Sequence, residues 1–397
     1  MTRSLRARLS WIGALAFASG FPFGLINEAL PVYLRTHGAS LEEIGRVAAI
    51  TAPWSLKFLW APLVDRVGSR RQWIAGCLAL IAALTLVLGH TDPTRIGAAF
   101  WLVALAIVTL SATQDVAIDA YTIEITSRQE LGVANSVRIA AYRVAMFTAG
   151  GVLIWLAGRS GWDTSFTVGT AALVALTGAA LLLPSPDVSA GRPLAIWEPL
   201  RALLIRKDIW AVVAFALLFK LDIAALEPMT RPFWVDRGFS LTEIGAVLTT
   251  GRIIATIAGA ALGGVLTSWW GIFRGLWVLG LVQAFSSLGY WAAATAAPSK
   301  PLILSAALFE NFAAGLGTSA YLAFLMSVCE KRYAATQFAL LSALLAVTRS
   351  GAGEASGALT EHMGYGGYFL LTFALAFPAY LLLAKIRHAP DAVPGER

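Results

Sequence analysis

The residues in this sequence most able to do chemistry lie between Leu110 and Arg143, in the stretch LSATQDVAIDAYTIEITSRQELGVANSVRIAAYR. Gln114, Asp115 and Asp119 interrupt a long apolar run there. A short polar turn (Ser127, Arg128, Gln129, Glu130) leads into a second apolar run that carries Arg138 and Arg143. Asp115 falls about twelve residues before the turn and Arg138 about eleven after it, so an antiparallel helical hairpin sets them at one depth. Asp115 and Asp119 are four apart and share a helix face. If both helices cross a bilayer, each ionisable side chain near the centre costs roughly 2.5–3.5 kcal/mol on insertion scales. Groups of that cost face a partner or a polar path. Asp115 with Arg138 or Arg143 is therefore either an ion pair stitching two helices or a titrating, substrate-contacting site. Two acids and two bases allow partners to be exchanged.

Other polar side chains sit in apolar runs in the same way. Asn27 and Glu28 lie in the first run, and Lys220, Asp222 and Glu227 in the run that opens the second half. Glu310 with Asn311 and Arg349 occur on either side of a later turn, at matching distances from it, which predicts a pairing of Glu310 with Arg349. Their neighbours are apolar on every side, so an amphipathic helix in water does not explain them. Lys57 lies within a turn or two of a helix end, where a lysine can snorkel. Arg252 has no evident partner in the sequence. Trp54, Trp60 and Trp234 are the aromatic candidates for stacking on a sugar ring. Glu28, Asp115, Asp119, Glu227 and Glu310 are thus candidate proton carriers. Gln114, Arg138, Arg143, Lys220, Asp222, Asn311 and Arg349 are candidate substrate contacts.

The elements that must position these groups are membrane helices. The chain has 397 residues, 58% hydrophobic and 13% charged, with a mean hydropathy of +0.71. Soluble domains are nearer 45–50% apolar and about 25% charged. The net charge of +7 fits basic loops on one membrane face and does not call for nucleic acid. Twelve apolar stretches are long enough to span: Trp11–Leu34, Leu41–Leu63, Trp73–Gly89, Ile96–Ile123, Leu131–Leu156, Ser165–Leu183, Ile209–Phe233, Leu241–Trp269, Gly275–Ala296, Pro301–Cys329, Ala334–Leu359 and Tyr368–Ile386. The first follows a basic start (Arg3, Arg6, Arg8) but is too long for a signal-peptide core, and it reads as a retained span. With both termini cytoplasmic, only Arg35, Arg95, Arg159, Arg237 and Lys300 fall in outer loops, as the positive-inside rule requires.

The chain also repeats. Gly38, Ser40, Leu41, Glu43, Ile44, Gly45 and Val47 recur at an offset of 200 as Gly238, Ser240, Leu241, Glu243, Ile244, Gly245 and Val247. Each copy opens the second span of its half. Six spans in 1–183 and six in 209–397 therefore form two pseudo-symmetric lobes. Residues 184–208 link them, with Trp197, Leu200 and Leu204 at the spacing of a short surface helix.

Between the second and third spans the chain reads APLVDRVGSRR, Ala61 to Arg71. This resembles the loop signature of the major facilitator superfamily, Gly-x-x-x-Asp-Arg-x-Gly-Arg-Arg. It matches at Asp65, Arg66, Gly68 and Arg70, and Arg71 adds a further base; Ala61 and Ser69 depart from it. The resemblance implies a cytoplasmic latch between lobes. The second half keeps Gly264 and Gly271, with Arg274 in the place of Arg71, but has Ser268 where the acid would stand, so the latch is expected to be one-sided. KFLWAPLVDR (Lys57–Arg66), ATQDVAIDA (Ala112–Ala120) and the long stretch Phe309–Leu344 are similar to the AmpG muropeptide permease group, related to the acetyl-CoA transporters. That resemblance implies a proton-driven importer of N-acetylglucosaminyl-anhydro-N-acetylmuramyl peptides in the bacterial inner membrane.

The expected fold is an all-α membrane protein, with twelve transmembrane helices in two lobes of the major facilitator type. The expected function is secondary active transport by alternating access. Its partners are a small-molecule substrate, protons and the lipid bilayer, with no nucleic acid, and the chain acts as a monomer. An exporter or importer of another anionic metabolite, or of a drug, is the alternative; a sensor that no longer transports is a third. No cofactor or metal is called for: Cys77 and Cys329 are far apart, and His37, His90, His362 and His388 form no His-Glu-x-x-His. Neither a Gly-x-Ser-x-Gly elbow nor a phosphate-binding Gly-x-x-x-x-Gly-Lys-Ser/Thr is present, so no catalytic residue is assigned.

Overall fold

The computed structural model describes residues 5–91, 97–126, 131–184, 197–206, 209–329 and 334–387, and the regular elements among them are all helical. Helices α1 (Leu5–Gly24) and α2 (Leu30–Thr36) run together through a π-helical turn at Leu25–Ala29. Short pieces follow: α3 (Leu41–Ala49), α4 (Ala52–Leu56) and α5 (Ala61–Arg66). Next come α6 (Arg70–Gly89), α7 (Ala98–Ile125), α8 (Leu131–Phe147), α9 (Leu153–Ser160) and α10 (Trp162–Leu181). A second π turn, Thr148–Val152, joins α8 to α9. Beyond the linker lie α11 (Trp197–Leu204), α12 (Ile209–Leu218), α13 (Leu221–Asp236) and α14 (Leu241–Glu243), with a third π turn at Ile244–Thr249. The chain closes with α15 (Thr250–Trp270), α16 (Ile272–Thr295), α17 (Lys300–Ser327), α18 (Ala334–Leu375) and α19 (Tyr380–Ile386).

Among the described residues, ten helical stretches are long and apolar enough to cross a membrane. Two features separate this from the twelve stretches read in the sequence. The second stretch is broken into α3, α4 and α5, because Pro53 and Pro62 carry no amide hydrogen to continue a ladder. The last two stretches run on as one, Val347–Ile386. Gly364 turns the chain within it at φ +69°, a left-handed conformation that a side chain would strain.

The contacts divide the chain into two compact units. One holds Met1–Ser40, Ile50–Gly191 and Gly238–Thr249; the other holds Leu41–Ala49, Arg192–Arg237 and Thr250–Arg397. The repeated glycine makes a close backbone approach in each. In the first unit, a Cβ on Gly245 would stand 2.6 Å from the amide nitrogen of Trp155 in α9. In the second, a Cβ on Gly45 would stand 3.1 Å from both the Glu354 carbonyl and the Gly357 nitrogen of α18.

The second unit's core gathers Phe215, Phe219, Tyr321 and Phe324, with the Phe219 and Tyr321 rings stacked at 5.7 Å. The short helix α11 does form in the linker; Leu200 is half-buried on it. Leu203 is buried in this core and Leu204 is exposed. Helix α11 packs against α18. The rest of the linker, 185–196 and 207–208, lies outside the described residues, as does the polar turn 127–130.

Helices α15 and α17 cross through small residues. A Cβ on Gly259 would run into the Phe312 carbonyl, and one on Gly315 would stand 2.7 Å from the Ala260 nitrogen. In a bilayer the association of helices rests on such close packing, since lipid is as apolar as leucine. Gly259→Val is expected to destabilise the protein by about 1–3 kcal/mol through forced separation, read as a lower unfolding midpoint in detergent. Gly264→Ala, on the same helix with nothing within 4 Å of its added carbon, is expected to leave the midpoint unchanged.

Candidate transport site

The first unit contains a neutral cluster of two acids and two bases. Asp115 and Asp119 stand one turn apart on α7, as their spacing requires. Lys57, just after α4, reaches both: its Nζ lies 3.8 Å from Asp115 and 3.6 Å from Asp119. Ser19 of α1 donates its hydroxyl to Asp115 at 2.6 Å. Arg138 of α8 donates to Asp119, not to Asp115 as the depth match suggested. Residue counting gives depth along a helix but not direction around it, and Asp119 is the acid turned toward α8. Arg143 is exposed and takes no part. Lys57, which a snorkelling reading would send to the interface, is the group that couples the two carboxylates.

Around this cluster the indoles of Trp54 and Trp60 donate to Ser111 (3.3 Å) and Thr113 (3.0 Å) of α7. Gln114 is fully buried, and neither its amide oxygen nor its nitrogen meets a hydrogen-bond partner among the described residues. An unpaired buried amide costs about 1–3 kcal/mol. Glu28 lies in the π turn of the first helix, its Cγ against the Cα side of Gly150 in the second π turn. Neighbouring Asn27 donates to its own helix, at the Phe23 carbonyl.

The second unit holds two further groupings. The helix breaks between α12 and α13 at Phe219–Lys220, with Lys220 in the break and Asp222 in the first turn of α13. Residues two apart on a helix do not face each other, and Gln283 of α16 joins them. Lys220 donates to the Gln283 oxygen at 2.6 Å and to Thr318 at 2.9 Å, while the Gln283 nitrogen lies 3.1 Å from both Asp222 oxygens. All of Lys220, Asp222 and Gln283 are buried.

The other grouping centres on Glu227. Arg349 of α18 meets it at 2.6 Å, Arg231 at 3.5 Å and Arg252 of α15 at 3.7 Å. The expected partner of Arg349 was Glu310, and the structure corrects this. Glu310 is buried on α17 and accepts instead from Asn311 at 2.7 Å. The cause is again direction: α18 packs on α13, which carries Glu227. Arg252 gains the partner it lacked in the sequence, and its guanidinium also lies over the ring of Trp234, 5.3 Å from the centroid. Trp234 is fully buried, so it offers no face to a sugar. Pro228 and Pro232 lie inside α13 and cannot donate to its ladder. Side chains serve the carbonyls nearby: Tyr368 donates to Ala225 at 2.6 Å, and Thr230 and Arg231 to Glu227 at 2.9 and 3.2 Å.

In the loop signature, Gly68 adopts φ +68° and Ser69 caps α6 with Gln72. Arg70 spans from Glu124 (3.2 Å) to the Val64 carbonyl (2.9 Å), and Arg71 is exposed. The side chains of Asp65 and Arg66 lie outside the described residues. Sequence reasoning missed Ser19, Gln283, Thr318 and Arg231. Gln283 was findable, as a lone amide in an apolar run of the same kind as Gln114. Arg231 was findable too, one turn from Glu227. Ser19 and Thr318 look like ordinary small residues of membrane helices until a partner is seen.

Comparison with known proteins gives one answer. The model of the Major Facilitator Superfamily matches residues 12–353. The anhydromuropeptide permease of Escherichia coli (strain K12) is 34% identical over 387 residues, covering 94% of this chain and 78% of that protein. A putative transporter AmpG 4 of Rickettsia conorii is 28% identical and covers 95% of both chains. Among solved structures, a bacterial homologue of the human lysosomal transporter Spinster, inward-facing and unoccupied, superposes with a TM-score of 0.71 at 16% identity, over 98% of this chain and 97% of that one. A variant of the nucleoside transporter NupG gives 0.69 at 16% identity, over 96% and 99%. These two likenesses concern the fold. With ten stretches among the described residues long and apolar enough to cross a membrane, and ion pairs between them, the chain belongs to the major facilitator superfamily and is an AmpG-like transmembrane transporter.

Proposed function

We propose that this protein is a proton-coupled importer of anhydromuropeptides, working by alternating access in the bacterial inner membrane. The observation that carries the reading is the acid–base cluster of Asp115, Lys57, Asp119 and Arg138, set in a chain 34% identical over nearly its whole length to an anhydromuropeptide permease. On this reading twelve helices form two lobes of six, residues 1–183 and 209–397, with the linker and both termini cytoplasmic. The protein acts as a monomer, and the Asp65–Arg71 loop serves as the latch.

Mechanistically, the cluster is balanced: two carboxylates share two cations. If an anionic cargo draws Arg138 away, Asp119 and Asp115 are left with Lys57 alone, and one of them gains a reason to bind a proton. Proton uptake then accompanies loading, and release reverses both. Ser19 holds Asp115 in position through this exchange. Glu28, Glu310 and the Lys220–Gln283–Asp222 bridge are further proton or cargo contacts, and Arg349 is a candidate for the cargo's carboxylate.

Two measurements bear on this. Labelled N-acetylglucosaminyl-anhydro-N-acetylmuramic acid is expected to accumulate in proteoliposomes only under an inward proton gradient, and Asp115→Asn is expected to lose the gradient-driven part. Uptake by Asp115→Asn with an unaltered pH dependence would remove this residue from coupling. No uptake by oriented, folded wild type would move the substrate to another anionic metabolite. Separately, Lys57→Met and Asp119→Asn are expected to interact. Their coupling in a double-mutant cycle of unfolding free energies should be about 1 kcal/mol, since these side chains are partly open to screening.

A further inference from the structure

We propose that Arg231, Arg252 and Arg349 form a carboxylate subsite, which Glu227 fills in this state and yields at Arg349 to the carboxylate of an anionic cargo. The inference deepens the transport reading and depends on it only for the cargo's identity.

Three guanidinium groups from three helices converge on one carboxylate position. The two Glu227 oxygens divide between them: Oε2 meets Arg349 at 2.6 Å, while Oε1 faces Arg231 at 3.5 Å and Arg252 at 3.7 Å. Each guanidinium presents five N–H donors in a fixed plane, and a single carboxylate has about four lone-pair directions to give them. A site with this donor geometry recognises carboxylates; here its occupant is attached to the chain.

Exposure divides the cluster by role. The Arg231 and Arg252 side chains are 4% and 10% exposed, Glu227 is 22% and Arg349 is 37%. Arg231 is anchored further by its bond to the Glu227 carbonyl, and Arg252 by the Trp234 ring. The inner two arginines are thus a fixed floor, and Arg349 is the member an incoming anion can reach. Glu227 can release Arg349 from Oε2 while Oε1 stays with the floor, so no charge is stranded during exchange. Pro228 and Pro232 lie next to and one turn beyond Glu227 and remove two donors from the α13 ladder, so the backbone there is held by fewer bonds than in a regular helix. The first unit's cluster pairs two acids with two bases and offers no such surplus of donors to one carboxylate.

The test uses the purified full chain. Unfolding midpoints of Glu227→Gln are measured with lactate and with lactamide, its uncharged counterpart. Lactate is expected to raise the midpoint and lactamide not to, and adding Arg349→Gln is expected to abolish the rise. An equal response to both ligands, or a lactate response that survives loss of Arg349, overturns the subsite. Glu227→Asp, which retracts the occupant by one methylene and keeps its charge, is expected to respond with the same sign but less.

Wild type is then offered the disaccharide acid and its methyl ester in competition. The acid is expected to bind about tenfold or more tightly, the scale of a hydrogen bond to a charged group, and Arg349→Gln to bind both alike. A wild type that binds acid and ester equally overturns the subsite and leaves the transport reading standing. One that binds neither, while Glu227→Gln keeps its lactate response, overturns the muropeptide reading and leaves the subsite.

Discussion

A charge inside a membrane helix must be matched by an opposite charge or by fixed dipoles, because the surrounding hydrocarbon offers neither. Much of this structure follows from that constraint. Asp115, Asp119, Asp222, Glu227 and Glu310 each have a partner, and for all but Glu310 a partner comes from outside the acid's own helix. Asp115 meets Ser19 of α1 and Lys57, Asp119 meets Arg138 of α8, Glu227 meets Arg252 of α15 and Arg349 of α18, and Asp222 meets Gln283 of α16. The polar groups therefore tie helices that are distant in sequence. They also limit which rearrangements are cheap, since a motion that separates a pair must supply a substitute.

The substitutes are of different kinds. In the cluster on α7, Lys57 stands between two carboxylates at 3.8 and 3.6 Å, so either can gain or lose a share of it with little movement. At the break before α13, the exchange is damped by an amide: Gln283 carries one bond to Lys220 and two to Asp222, and keeps two opposite charges from direct contact. Around Glu227 the balance is tipped toward cations. A transporter needs charges that are stable yet exchangeable, and graded pairings of this sort meet both demands better than fully closed ion pairs do.

Helix irregularities place these groups. Glu28 occupies one π turn and packs on Gly150 in another; Glu227 sits beside Pro228; Lys220 stands at a helix break. Regular ladders would turn these side chains elsewhere. Side chains add bonds to carbonyls beside the irregularities, as Tyr368 does to Ala225, which helps membrane helices tolerate interruption. Small residues do the complementary work of bringing backbones close, at Gly259 and Gly315 between α15 and α17, and at the repeated Gly45 and Gly245.

The sequence by itself determined the class of protein and the inventory of its chemistry. Hydropathy marks membrane helices wherever it runs unbroken, seven residues recur at an offset of 200, and a carboxylate in an apolar run is conspicuous because it is expensive there. What it could not determine was who pairs with whom. Asp115 was matched to an arginine that binds Asp119, Arg349 to Glu310 when it binds Glu227, and Arg252 to nothing. Each of those readings rested on depth, which follows from 1.5 Å of rise per residue. Pairing also needs the direction a side chain takes around its helix and the identity of the helix packed there. Those depend on contacts such as α13 with α18, and only the tertiary structure fixes them. The same limit hid Ser19 and Thr318, whose importance lies wholly in what they face.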